Sequence, residues 1–215
     1  MSQPGHAQNA VDDMGADKAN VNLDMTPCKS GLPIDTLPEV EMPESEREAL
    51  QSVHRRHLGK LNWLATSTRP DITAVHSLLA AKAQTPTPAH IEAARHVGKC
   101  LKSTLSLGVQ FSSNQDKTLE GFVHFPIDPT KMVAFADANW GPQDASHPSQ
   151  SAICPVSIDE TKSVCGHIVF VSGGPLVWKS HKEKRISGSS CEAEVKATDE
   201  CTRTIRAMQS SPTAL

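Results

Sequence analysis

MVAFADANWG, Met132 to Gly141, decides how this chain is read: an apolar run that closes on a single acid, Asp137. Downstream, SVCGHIVFVSGGPLVWKS (163–180) reads as two strands joined across a tight turn at Gly173-Gly174-Pro175. SSCEAEVKATDECTRTIRAM (189–208) then reads as a helix carrying two early glutamates. A strand ending in a carboxylate, a hairpin, and a helix with a carboxylate in its first turns can begin a two-metal phosphodiester site. Two divalent ions about 3.5–4 Å apart need converging oxygens, and the ends of separate elements supply them.

The carboxylates separate by geometry. Asp137 shares a strand face with Val133 and Phe135, and on residues alone it is either a metal ligand or a turn-initiating Asp. Ser189 and Glu192 have capping-box spacing, and Glu192 shares a face with Lys196, Asp199 and Arg203, a solvated set. Glu194 falls with Ala197, Thr198, Cys201, Ile205 and Met208, the stripe expected to pack on the sheet. A carboxylate there is costly unless a cation or hydrogen bonds compensate it, so Glu194 is the ligand candidate and Glu192 the cap.

The runs FADANW, GHIVFVSGGPLVWKS and SSCEAEVKA, in that order, resemble the ribonuclease H domain of copia-type LTR retrotransposon polyproteins, of a fungal branch. LGKLNWLATSTRPDI and PTPAHIEAARHVGKCLKSTLSLGVQF resemble the segment joining reverse transcriptase to that domain, and MTPCKSGLPID resembles the polymerase end. The likeness covers roughly residues 20 to 208. It implies Mg²⁺-dependent cleavage of RNA in RNA–DNA hybrids during reverse transcription, with Asp137 and Glu194 as catalytic metal ligands. Asn139 stands where many relatives carry a further acid. The family also takes a third carboxylate from a strand after the helix, and the sequence runs from Met208 to Leu215 without an acid, so the site reads as half built and the chain as an inactive fragment. The paired aspartates of the polymerase are missing too, which excludes DNA synthesis. Alternatives in other classes are a non-catalytic nucleic-acid-binding remnant and a degenerate element without function.

Lys179, His181, Lys182, Lys184 and Arg185 form a basic patch between the last strand and the helix. As sequence it is either solvated surface or a phosphate contact. The resemblance places it along the path of the hybrid, which makes Lys179, Lys182, Lys184 and Arg185 the nucleic-acid-binding candidates.

The chain's 215 residues suffice for one or two domains with a real core. Its formal charge of −3 excludes a globally basic nucleic-acid binder, although acids crowd the segment from Asp12 to Glu48. The six cysteines show no CxxC pair, and Cys165, Cys191 and Cys201 sit in apolar patterns, as reduced thiols of an intracellular protein would. The start, MSQPGHAQNAVDD, is unlike a signal peptide, and no apolar run nears the ~18 residues that span a bilayer. A cytoplasmic or nuclear protein without membrane partners is expected.

In chain order, residues 1–42 read as disordered or extended. Residues 43–108 read as a helical, thumb-like connection. Its first helix starts at a Ser45-x-x-Glu48 box, with Leu50, Val53, His57, Leu61 and Leu64 inward, and with His54 exposed and His57 half-buried. Pro70 opens a second helix bearing Ile72, Val75, Leu78 and Leu79. Thr87 caps a third with Pro88 at its first position. Residues 109–208 read as an incomplete, mixed α/β domain of ribonuclease H type, with a strand pair at 109–111 and 119–125 before the strand of Asp137, and 209–215 as a tail. A sheet lacking its central strand would keep an open edge, through which association is expected.

Overall fold

A computed structural model describes residues 1–16, 26–28, 42–111, 131–139 and 162–210. The fold mixes helices with an antiparallel sheet, and the chain divides into two compact units, one within residues 1–108 and the other within 109–141 and 161–215.

The first unit is helical. Helix α1 spans Pro4–Asp13, which corrects the expectation of disorder for the whole of 1–42. Its apolar face is made of small residues: Ala7, Ala10, Val11 and Met14 recur at helical spacing, and all are buried. Pro4 occupies the first turn, and Gly15 (φ 64°) ends the helix. There Ala16 N–H donates to the Val11 carbonyl and Gly15 N–H to that of Asp12, the paired bonds of a glycine-terminated helix.

Helix α2, Glu44–Ser67, begins one residue before the expected box. Pro43 stands at the cap and neither Ser45 nor Glu48 serves it; Glu44 and Glu46 instead set negative charge against the helix N-terminus. Leu58, Leu61, Leu64 and Ala65 are buried, as are both His54 and His57, the former against expectation. A 3-10 turn at Pro70–Ile72 leads into α3, Thr73–Ala81, which buries Val75 and Leu79. Helix α4, Pro88–Ser103, starts at Thr87 as expected and turns Ala93, Ala94, Val97 and Leu101 inward. Gly98 lets α1 come close, since a Cβ there would lie 3.0 Å from that of Ala16 and 3.3 Å from the Met14 sulfur. Arg69, 2% exposed, forks onto Asp71 and also reaches the Thr104 carbonyl (3.0 Å), which fastens the end of α4 to the turn before α3.

In the second unit β1 (Val133–Asn139), β2 (Val164–Val171) and β3 (Gly174–Lys182) form an antiparallel sheet in that order. The β2–β3 turn is Ser172-Gly173, one residue earlier than expected. Both residues have positive φ (51° and 71°), the twist that suits a two-residue hairpin. Alternation along β2 buries Cys165, His167 and Val169 on one face. Helix α5, Ser190–Ser210, crosses β1 and β2 and buries Ala193, Ala197 and Cys201 at four-residue steps. Of the strand pair expected earlier, 109–111 has no strand and 119–125 lies outside the described residues.

Candidate functional site

The two faces of the sheet are fixed by contacts. His167 Nε2 lies 3.3 Å from Thr204 Oγ1 of α5, so the face of Cys165, His167 and Val169 is the one α5 covers. Phe135 and Phe170 meet edge to face at 5.9 Å, on the other side. Ala138 pairs directly with Cys165, and Asp137 with Gly166. Direct partners share a face, so Asp137 stands with Phe135 on the face opposite α5. It is exposed, two residues before the strand ends at Asn139.

Glu194 is also exposed. The buried line of α5 runs through Ala193, Ala197 and Cys201, so Glu194 flanks the packed stripe and does not lie on it. It stays near the sheet, because its charge is among those that raise the Cys165 thiol. The cap reading of Glu192 holds: Glu192 N–H donates to Ser189 Oγ (3.1 Å), and its carboxylate accepts from Gly188 N–H (2.7 Å). Lys196 and that backbone bond hold the Glu192 carboxyl below the usual range.

The acid of α5 that meets the sheet is Glu200, which sequence reasoning passed over. It accepts a hydrogen bond from Lys179 Nζ (2.6 Å) and lies 3.2 Å from His181 Nε2. Partial burial pushes its carboxyl up, but the Lys179 bond and the neighbouring His181 outweigh this and leave it below the ordinary value. Burial lowers the pKa of His167, despite the nearby Glu200. Cys165 donates to Glu183 Oε1 (3.2 Å), and burial together with that carboxylate pushes the thiol up to about 12. The signal for Glu200 was its place three residues after Ala197 and next to Cys201, on the buried side of the helix.

These contacts divide the basic patch. Lys179 is engaged by Glu200, and Lys182, paired with Val164, belongs to the face away from α5. Lys184 and Arg185 are exposed between β3 and α5. Among the described residues no group of three or more His, Cys, Asp or Glu side chains could hold a metal ion. Asp137, on the face away from α5, and Glu194, on α5, are not joined among the described residues by the donor set that a Mg²⁺ pair demands. No helix among the described residues is long and apolar enough to cross a membrane.

No family model matches the chain, and no solved structure does. Among curated proteins, the chain is 26% identical over 146 residues to Secreted RxLR effector protein 161 of Plasmopara viticola, covering 68% of this chain and 84% of that one. It is 25% identical over 179 residues to the retrovirus-related Pol polyprotein from transposon RE2 of Arabidopsis thaliana, covering 83% of this chain. It is 29% identical over 138 residues to the putative transposon Ty5-1 protein YCL074W of Saccharomyces cerevisiae, covering 64% of this chain. The chain spans only 10% of the RE2 polyprotein and 36% of the Ty5-1 protein. These distant, partial likenesses support a retrotransposon-derived chain.

Proposed function

We propose that the second unit is the opening part of a ribonuclease H-like domain from a copia-type retrotransposon polyprotein, and that the first unit is the helical connection preceding it. The observation that carries this reading is the order of elements: an antiparallel β1-β2-β3 sheet, then α5 returning over β1 and β2, in a chain similar to Pol polyproteins. In that reading Asp137 and Glu194 correspond to the metal-binding carboxylates by their order along the chain, although here Asp137 lies on the sheet face away from α5. A fungal branch remains part of the proposal, with a yeast protein among the relatives beside plant and oomycete ones.

The parent activity is Mg²⁺-dependent cleavage of RNA in RNA–DNA hybrids. The described residues do not assemble its metal centre. The purified 215-residue chain is therefore expected to cleave a labelled hybrid no faster than background in Mg²⁺ or Mn²⁺. Robust cleavage that Asp137→Asn abolishes would overturn that expectation and place an unrecognised ligand in the site.

Exposed Lys184 and Arg185 favour a second reading, weak binding of the hybrid without cleavage. With Lys179 held by Glu200, about two phosphates are neutralised, so log affinity falls against log salt with a slope on the order of −1 to −2. A slope unchanged by Lys184→Ala with Arg185→Ala would leave the patch as solvated surface. Cytoplasmic or nuclear residence accords with the free thiols of Cys165, Cys191 and Cys201.

A further inference from the structure

We propose that the first turn of α4 is a proton-sensitive latch: His90 closes the helix start as a neutral acceptor, and proton uptake at that ring releases it. Thr87 N–H donates to His90 Nδ1 at 2.8 Å, and the Thr87 hydroxyl lies 2.8 Å from the same nitrogen. A backbone N–H can only donate, so Nδ1 must carry no proton while the bond stands. The usual partner at this position is Glu or Gln, which accepts across the neutral range. An imidazole stops accepting at Nδ1 once protonated, near pH 6.5 for an unperturbed ring. Both Thr87 and His90 are buried, so water does not readily replace the lost acceptor.

The surroundings amplify the effect. The His54 ring of α2 meets that of His90 edge on at 6.1 Å. His54 Nε2 bonds the Leu79 carbonyl of α3 (3.0 Å), and its Nδ1 is buried without a hydrogen-bond partner. One turn on, His57 is buried 3.7 Å from Asp13 of α1, a carboxylate that Arg56 and Lys60 also approach. His76 of α3 bonds the Leu58 backbone of the same α2 helix. Burial depresses His54, His57 and His76, with backbone carbonyls and Asp13 opposing it only in part. A histidine whose folded pKa lies below its unfolded value of about 6.5 gives stability that is whole above that pH and lost as pH falls toward the folded value.

The test is urea unfolding of the full chain between about pH 5 and 8, followed at the Ala93 and Val97 amides of α4 by NMR. Each proton taken up on opening raises the unfolding constant about tenfold per pH unit. His90→Gln retains an acceptor at every pH. Its rise per pH unit should be about tenfold smaller than the parent's, whatever its midpoint at about pH 7.5. Long-range ¹⁵N–¹H spectra of the unaltered chain should show His90 Nδ1 unprotonated at about pH 7.5. Equal pH slopes for the parent and His90→Gln would overturn the proposal. So would a protonated Nδ1 in the folded chain, a result that needs no variant.

Discussion

Removing the Arg69 side chain should be among the most damaging single changes in the helical unit. The guanidinium is 2% exposed and donates four hydrogen bonds: to both Asp71 oxygens (2.9 and 2.7 Å), to the Thr104 carbonyl (3.0 Å) and to the Thr104 hydroxyl (2.8 Å). Breaking a buried ion pair costs about 3–5 kcal/mol, mostly through the charge left behind. Asp71 keeps 33% of its side chain exposed and can rehydrate, so Arg69→Ala belongs near the lower end, about 3 kcal/mol. For a unit of roughly this size that is on the order of a 12–24 °C fall in Tm. Arg69→Lys supplies one compact charge in place of a planar fork, cannot serve Asp71 and Thr104 together, and should lose about half as much. Scanning calorimetry of both variants, beside Arg203→Ala as an exposed control, measures the effect. A loss for Arg69→Ala no larger than the control would refute the reasoning and reduce the fork to a surface pair.

Two further outcomes follow from the sheet unit. At about pH 8, Cys191, exposed at the start of α5, should be alkylated at once, while Cys165 stays protected in the folded chain because its thiol is raised to about 12; equal labelling rates, read by peptide mass spectrometry, would contradict its burial. Glu194→Gln should leave the urea midpoint unchanged, since the carboxylate is exposed, whereas Glu192→Ala should lower it and deprotect the Gly188 amide. The Glu192 contribution is present above the ordinary carboxylate pKa and fades as pH falls through its lower folded value, so the two chains should converge in acid.

Much of the architecture could be read from local chemistry. Thr87-Pro88 marks the start of α4, Pro70 the turn before α3, and the glycines after Ser172 the hairpin, because each rests on a backbone preference that needs no neighbour. Helix α1 escaped because its buried face is Ala7, Ala10, Val11 and Met14 among Asn, Asp and Gly, too weakly apolar to register as a stripe. Pro4 and Gly15 were the available signals. His54 was assigned to the surface because one helix face does not reveal what packs on it; α3 and α4 enclose it here. The candidate acids depend on long-range geometry. A shift of one position on α5 moved Glu194 off the stripe and brought Glu200 toward it, and strand parity put Asp137 across the sheet from the helix.

The seat of α1 between α2 and α4 also bears on the order of folding. Its ties reach far along the chain: Arg56 to Asp13 across 43 residues, Lys60 to Asn9 across 51, and Arg95 to Met14 across 81. The α2–α3 contacts close much shorter loops, so chain-closure entropy favours their forming first and α1 arriving last. An element that docks after the barrier governs how fast the unit comes apart and leaves its assembly rate alone. Val11→Ala should accordingly steepen the loss of the unit by raising the unfolding limb of the chevron, with the refolding limb unmoved. An equal drop in the refolding limb would place α1 in the folding nucleus, making it an early organiser of the fold.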